Sequence, residues 1–184
     1  VEPVRNPTLE GRYARVRSAL FGKREDVDGT PLPAAEQELW GFHGAAPTKI
    51  RSIVDKGLRP LGHPLTGGIK SGSGDTGYWG SGKTGIYLSR TLNYAAKYSN
   101  PQWLPPHGYV PTPLSPETEV VVIAFRFCPG EEFKPPAVVG AQLQVQPGYD
   151  SHMSGEGHEW WLPYAGQCVP RFLVHLKAKP KTDG

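Results

Sequence analysis

The stretch GYWGSGKTGIYLSRTLNYAAKYS, residues 77–99, joins a glycine-rich segment to a short alternating run and then to a run with helical spacing. Its first eight residues fit the pattern G-x-x-x-x-G-K-[ST] of a phosphate-binding loop. Such a loop needs a buried strand before it and a helix directly after it. Here the preceding residues are glycine-rich and polar, and the run after Gly85 alternates like a strand. The stretch therefore predicts a strand followed by a helix, and it argues against a nucleotide triphosphatase.

Outward from this stretch, helices are predicted early in the chain and strands late. Residues 6–20 have apolar side chains at helical spacing, with Thr8 as the expected N-cap. Residues 38–44 alternate like a strand, and Pro47 begins a second helix that Gly57 ends. Four later runs are β-rich or alternating and predict strands: residues 118–127, 137–145, 158–164 and 171–178. The predicted class is α+β, with a mostly antiparallel sheet.

Composition bounds the size and class of the molecule. The 184 residues suffice for one domain, 1–184, which we expect to be monomeric, and the start at Val1 without methionine fits a domain excised from a longer protein. The net charge of +3 comes without a dense Lys/Arg stripe, so nucleic acid is not an expected partner.

Two isolated cysteines, Cys128 and Cys168, predict reduced thiols in an intracellular domain, cytoplasmic or nuclear. The longest apolar run, residues 120–125, is too short to span a bilayer, so no membrane is expected.

Four blocks of the sequence resemble the catalytic domain of the poly(ADP-ribose) polymerase (PARP) family and follow the order found there. They are VRNPTLEGRYARVR (4–17), LWGFHGAAPTKIRSIVDKGLRP (39–60), GSGKTGIYLSRTLNYAAKYS (80–99) and HEWWLPYAGQCVPRFLVHLKAK (158–179). The first block is most similar to the mono-ADP-ribosyltransferase branch. The resemblance implies the diphtheria-toxin-like ADP-ribosyltransferase fold, with two packed, mostly antiparallel sheets flanked by a few short helices.

The same resemblance implies an enzyme that cleaves the nicotinamide–ribose bond of NAD. It would transfer ADP-ribose to an acceptor protein or another macromolecule, with NAD hydrolysis as a side reaction, so NAD is consumed as a substrate. The family's His-Tyr-Glu triad falls on His43, Tyr87 and Glu159. Glu159 would bind the 2′-hydroxyl of the nicotinamide ribose and orient the acceptor, next to an oxocarbenium-like centre that favours negative charge. His43 would hold the adenosine ribose hydroxyls.

The remaining NAD-binding residues also follow from the resemblance. Tyr87 and Tyr98 would lie on the two sides of the nicotinamide ring. Gly44 would offer its backbone to the carboxamide, because a residue without a side chain permits close approach. Arg59 matches a position near the adenosine half in some members. Where the family often has a serine that donates a hydrogen bond to the carboxamide, this chain has Ala95, so one donor is missing.

Each of these residues also has a structural interpretation. A histidine at the end of a strand, a tyrosine in a strand or on a helix, and a solvated arginine are all common without any ligand. Glu159 also fits a solvated strand residue. His152 and His158 have no further ligand at zinc spacing, so no metal is expected.

Three function classes stay open. The triad favours the NAD-dependent transferase, although most members of the mono-transferase branch lack the glutamate present here at Glu159, so the length of the product is undetermined. The alternative is a catalytically weak or inactive domain of the same fold that binds NAD, ADP-ribose or a protein. An RNA 2′-phosphotransferase of related fold would need an Arg-rich phosphate site, which the four blocks lack.

Overall fold

The structure is a computed structural model that describes residues 1–60, 85–99, 119–134 and 146–177. The α-helices among these residues are α1 (Pro7–Leu20), α2 (Ala34–Gln37), α3 (Pro47–Lys56) and α4 (Leu92–Ser99), and a 3-10 helix covers Ala165–Gln167. Its strands are β1 (Glu2–Pro3), β2 (Leu39–Gly44), β3 (Ile86–Ser89), β4 (Glu119–Phe127), β5 (Glu132–Phe133), β6 (Ser151–Met153), β7 (Glu159–Leu162) and β8 (Cys168–Lys177). The strand predicted over residues 137–145 and the glycine-rich segment 77–84 lie outside the described residues.

The eight described strands form one sheet in the order β1-β8-β4-β2-β3-β7-β6-β5. All neighbours run antiparallel except β5 and β6, which are parallel. The α+β class and the antiparallel sheet are thus confirmed. Where two packed sheets were expected, one continuous sheet is found, because the halves β1-β8-β4-β2 and β3-β7-β6-β5 are joined through a single residue pair, Phe42–Ser89.

The hydrophobic core lies against the centre of this sheet. The strand β4 is rich in β-branched and aromatic residues and is buried along most of its length, as expected for a central strand. The largest core cluster contains Leu58, Ile86, Leu88, Ile123, Phe125, Phe127, Met153, Trp160, Leu162 and Cys168. A second cluster buries the predicted apolar face of α1, with Leu9, Tyr13 and Leu20 packed near Cys128 and Val169. A third cluster holds α4 against β4 through Ala95, Ala96, Val120 and Val122.

The start of α1 differs from the prediction. The N-cap is Asn6, whose Oδ1 accepts a hydrogen bond from the N–H of Leu9 at 3.1 Å, and not Thr8. Pro7 occupies the first helical position, where its missing N–H costs nothing, so the residue before it becomes the cap. The Asn6 amide also donates to the carbonyls of Val54 at 3.1 Å and Asp55 at 3.0 Å. One side chain therefore caps α1 and ties it to the end of α3.

A half-buried carboxylate, Glu38, connects α1 to the start of β2. The hydroxyl of Tyr13 donates to Glu38 Oε1 at 2.5 Å, and Arg17 pairs with Glu38 Oε2 at 2.9 Å. Burial alone would raise the pKa of Glu38, but these hydrogen bonds outweigh it and hold the pKa below its ordinary value. These contacts therefore hold the start of β2, the strand that carries His43, against α1.

Replacing Asn6 tests this arrangement. Asn6→Ala should lower the free energy of unfolding by about 1–2 kcal/mol, because it removes the cap of α1 and the two bonds to α3. Thr8→Ala is the matched control and should change it by less than about 0.5 kcal/mol, since Thr8 is exposed. Urea unfolding of the three proteins measures both values. A larger loss for Thr8→Ala than for Asn6→Ala would contradict the assignment.

Candidate functional site

His43 lies near the end of β2, half-buried, with its ring edge-on to Phe125 at 6.4 Å between centroids. Its Nδ1 is 3.0 Å from the carbonyl oxygen of Tyr87. A carbonyl only accepts, so Nδ1–H donates and the neutral ring keeps an acceptor at Nε2. Burial lowers the pKa of His43, and this hydrogen bond opposes the shift only in part. The imidazole is therefore neutral at pH 7. Its hydrogen bond goes to the backbone of Tyr87, the triad residue with which it was predicted to act.

Strand register brings Tyr87 and Glu159 to the same side of the sheet. Ser89 is opposite Glu159 in the β3–β7 ladder, and Tyr87 is two residues from Ser89. Directly opposite residues share a face, and side chains two apart along a strand share it too. Ser89 is also the residue that pairs with Phe42 of β2. Tyr87 and Glu159 thus share a face beside the junction of the two sheet halves. His43 follows Phe42 in β2 and therefore takes the opposite face, and it reaches Tyr87 through the backbone carbonyl of that residue.

A tight turn before β7 fixes the backbone of Glu159. The Oγ of Ser154 accepts hydrogen bonds from the N–H groups of His158 at 2.9 Å and Glu159 at 3.1 Å. The N–H of Ser154 donates to the carbonyl of Glu159 at 2.8 Å. Gly157 has a φ of 71°, which a residue without a side chain adopts at no steric cost. The half-buried Glu159, the first residue of β7, is therefore held in position by the backbone hydrogen bonds of this turn.

Gly44 packs directly against α4. A Cβ atom on Gly44 would lie 1.9 Å from the carbonyl oxygen of Ala95 and 2.9 Å from the Cβ of Tyr98. Ala95 itself is completely buried, in the cluster that joins α4 to β4. The lack of a side chain at Gly44 is therefore needed for the approach of the protein's own helix.

A second glycine beside the site is also in close contact with the protein. Gly85 directly precedes β3, and a Cβ atom there would lie 1.7 Å from Nε1 of Trp161. Trp161 is buried and lies opposite Tyr87 in the β3–β7 ladder. The lack of a side chain at Gly85 is therefore needed for the approach of the Trp161 indole.

Tyr98 contacts a second tyrosine on α4. The rings of Tyr94 and Tyr98 are 5.8 Å apart, with a hydroxyl–hydroxyl distance of 3.5 Å. His158 stacks on Tyr94, also at 5.8 Å and with an interplanar angle of 21°. Neither Tyr94 nor His158 was predicted to belong to the site. The four-residue spacing of the tyrosines on a helix was the available signal, since it places them on one face.

Arg59 lies two residues beyond the glycine that ends α3, and its charge contributes to the lowered pKa of Arg12 on α1, after the larger effect of burial. The other predicted residues surround the sheet junction: His43, Gly44, Tyr87, Ala95, Tyr98 and Glu159. Their roles toward NAD stay predictions.

Within the described ranges, no group of three or more His, Cys, Asp or Glu residues is suited to hold a metal ion, and no helix is long and apolar enough to cross a membrane.

Comparison with known proteins identifies the fold. No family model matches the chain, and no curated protein was found to match it. Among solved structures, the chain is similar to the one titled "Crystal structure of the TASOR pseudo-PARP domain", with a TM-score of 0.64 and 19% sequence identity. The match covers 97% of this chain and 81% of that one. The chain therefore has a PARP-like α+β fold, which is the class that the four sequence blocks implied.

Substitution of Gly44 distinguishes helix packing from a ligand-binding role. Gly44→Ala should lower the free energy of unfolding by about 1–3 kcal/mol, because the new methyl group meets the backbone of α4. Gly11→Ala on α1, where a Cβ has open space, is the control and should raise it by about 0.5–1 kcal/mol. Thermal or urea unfolding without ligand measures both. A Gly44→Ala protein of wild-type stability would show that α4 does not press on this residue.

Proposed function

We propose that this domain is a noncatalytic PARP-like module that acts through protein interaction and does not cleave NAD. The observation that carries the proposal is the contact between Gly44 and α4. In the expected mode of binding, the nicotinamide carboxamide lies on the backbone of Gly44, with Tyr98 stacked on the ring. The ring would lie between Tyr87 and Tyr98, so the space between Gly44 and α4 must admit the carboxamide.

The contact between Gly44 and α4 leaves no space for this group. A carboxamide hydrogen-bonded to the backbone of Gly44 needs about 3 Å between its polar atoms and that backbone, and a van der Waals distance from α4 on its other side. A Cβ atom on Gly44 would already be 2.9 Å from the Cβ of Tyr98. For nicotinamide to enter, α4 would have to move off β2 and expose the buried Ala95. The small alanines of α4 favour the closed arrangement, because they let the helix backbone approach the sheet.

Two further features support a noncatalytic module. Ala95 replaces the serine that often donates to the carboxamide, so an opened site would still lack one hydrogen bond, worth about 1 kcal/mol. A solved structure to which the chain is similar is titled a pseudo-PARP domain. At 19% identity that likeness establishes only the fold, and the shared inactivity is part of our proposal.

An exposed aromatic surface favours protein interaction as the role of a domain that does not cleave NAD. Trp40 on β2 is 42% exposed and Phe172 on β8 is 36% exposed, and their rings are 5.8 Å apart. The guanidinium of Arg126 lies over the Trp40 ring at 5.3 Å. Trp, other aromatics and Arg are enriched at the energetic centres of protein interfaces. This composition fits recognition of a protein better than recognition of a nucleotide.

The transferase remains the second candidate because the residues for its chemistry are present. His43 is held by Tyr87, and Glu159 is fixed by the Ser154 turn while keeping partial exposure. A domain in which α4 opens transiently would place these groups around NAD. The noncatalytic module and the transferase therefore differ in whether the domain cleaves NAD and releases nicotinamide.

Nicotinamide release decides between them. Wild-type domain and Glu159→Gln, both confirmed as folded, are incubated with millimolar NAD and free nicotinamide is quantified. We expect both rates to equal the rate of NAD alone, because the carboxamide has no room beside Gly44. A wild-type rate about 100-fold or more above that of Glu159→Gln would establish the transferase, since loss of one such electrostatic group typically costs that much.

A further inference from the structure

Arg12 and Arg59 bring two positive charges together at the junction of α1 with the segment after α3. Burial lowers the pKa of Arg12 below its ordinary value, and the nearby charge of Arg59 lowers it further, whereas Cys168 opposes the shift. Cys168 is a buried thiol whose pKa burial raises to about 12, so it carries no negative charge at neutral pH. Repulsion between the two guanidinium groups is therefore not offset by this neighbour.

Three donor nitrogens of this pair have no acceptor. The Nε of Arg12 and the Nε and Nη1 of Arg59 are covered by protein and make no hydrogen bond. No ion pair among the described residues includes either side chain. Covered donors of charged groups are costly when unpaired, and proteins rarely retain them without a purpose. The arrangement has donors and positive charge but lacks a negatively charged acceptor.

Two glycines shape the position of Arg12. Gly57 has a φ of 77°, and a Cβ atom there would lie 2.5 Å from Nη2 of Arg12. A Cβ on Gly166 would lie 3.5 Å from Cγ of Arg12 and 2.5 Å from the side chain of Val16. The Arg12 side chain thus lies close to the backbone of Gly166 near its Cγ atom and close to the backbone of Gly57 at its guanidinium end. Both arginines are only half-buried, so the pair also reaches the molecular surface.

We propose that Arg12 and Arg59 form a binding site for an oxyanion, the phosphate or carboxylate group of a ligand. A guanidinium presents a planar fork of donors that matches the oxygens of either group, and two forks around one anion would cancel their repulsion. Cations are excluded by the charge of the pair. The inference does not depend on the proposed function, because the site is defined without Gly44 or Tyr98. It includes Arg59, which the resemblance placed near the adenosine half of NAD, and adds Arg12, to which the resemblance gave no role.

Thermal unfolding of the complete domain tests the site. Wild type, Arg59→Met and the control Arg15→Met are compared in sodium chloride, sodium phosphate and sodium acetate of equal ionic strength at pH 7.5. Arg15 is an exposed arginine on α1, so its replacement matches the change in net charge. Methionine at position 59 keeps an unbranched stem and removes the charge and the unpaired donors.

We expect a crossover in stability. In chloride, Arg59→Met should melt at a higher temperature than wild type, because repulsion and unpaired donors are removed. In phosphate or acetate, wild type and Arg15→Met should gain more than Arg59→Met. Phosphate stabilises most folded proteins by exclusion from their surface, so the decisive quantity is the difference between variants. A larger gain in phosphate indicates a phosphate ligand, and a larger gain in acetate indicates a carboxylate.

Direct titration of phosphate into each protein gives the second readout. Arg59→Met should bind phosphate about tenfold more weakly than wild type or not measurably, whereas Arg15→Met should bind as wild type does. If Arg59→Met does not fold, Arg59→Lys replaces it, and loss of the forked geometry should still weaken phosphate binding severalfold. Equal oxyanion effects on wild type and the position-59 variant would overturn the proposal, and so would the absence of any oxyanion effect on wild type beyond that of chloride.

Discussion

The packing of α4 on β2 at Gly44 is the contact on which the candidate site depends. It places the carbonyl of Ala95 where a side chain at position 44 would begin, and it brings Tyr98 directly against the strand. The buried alanines of α4 and the valines of β4 complete the contact. Because interiors are packed to high density, α4 cannot lift from the strand without leaving an unfilled space. The same contact therefore stabilises the fold and, in the binding mode that the resemblance implies, closes the space that the carboxamide of nicotinamide would need.

The pair Phe42–Ser89 has a comparable role in the sheet. It is the single pair through which the two four-stranded halves join, and Ser89 also lies opposite Glu159. The hydrogen bond from His43 to the Tyr87 carbonyl strengthens the same junction. Triad residues thus have structural roles here, which explains how they can be present in a domain for which we propose no turnover.

Much of the fold could be predicted from the sequence, because local patterns fix it. Apolar spacing placed the buried face of α1, and Gly57 ends α3 as predicted, with its N–H bonded to Ile53. The cap at Asn6 was missed because both Asn6 and Thr8 suit that position, and only the placement of Pro7 decides. The site was harder to predict. A glycine indicates close approach without identifying what approaches, so a ligand and the backbone of Ala95 gave the same signal at Gly44.

The most direct test follows the backbone amide signals of Gly44, Ala95 and Tyr98 by NMR during titration of the domain with NAD. The account predicts that these three signals do not shift up to millimolar NAD, because α4 and β2 stay in contact. Saturable shifts of all three, with a common dissociation constant, would contradict it. They would show that the helix opens to admit the nicotinamide ring and that the site is a working NAD pocket.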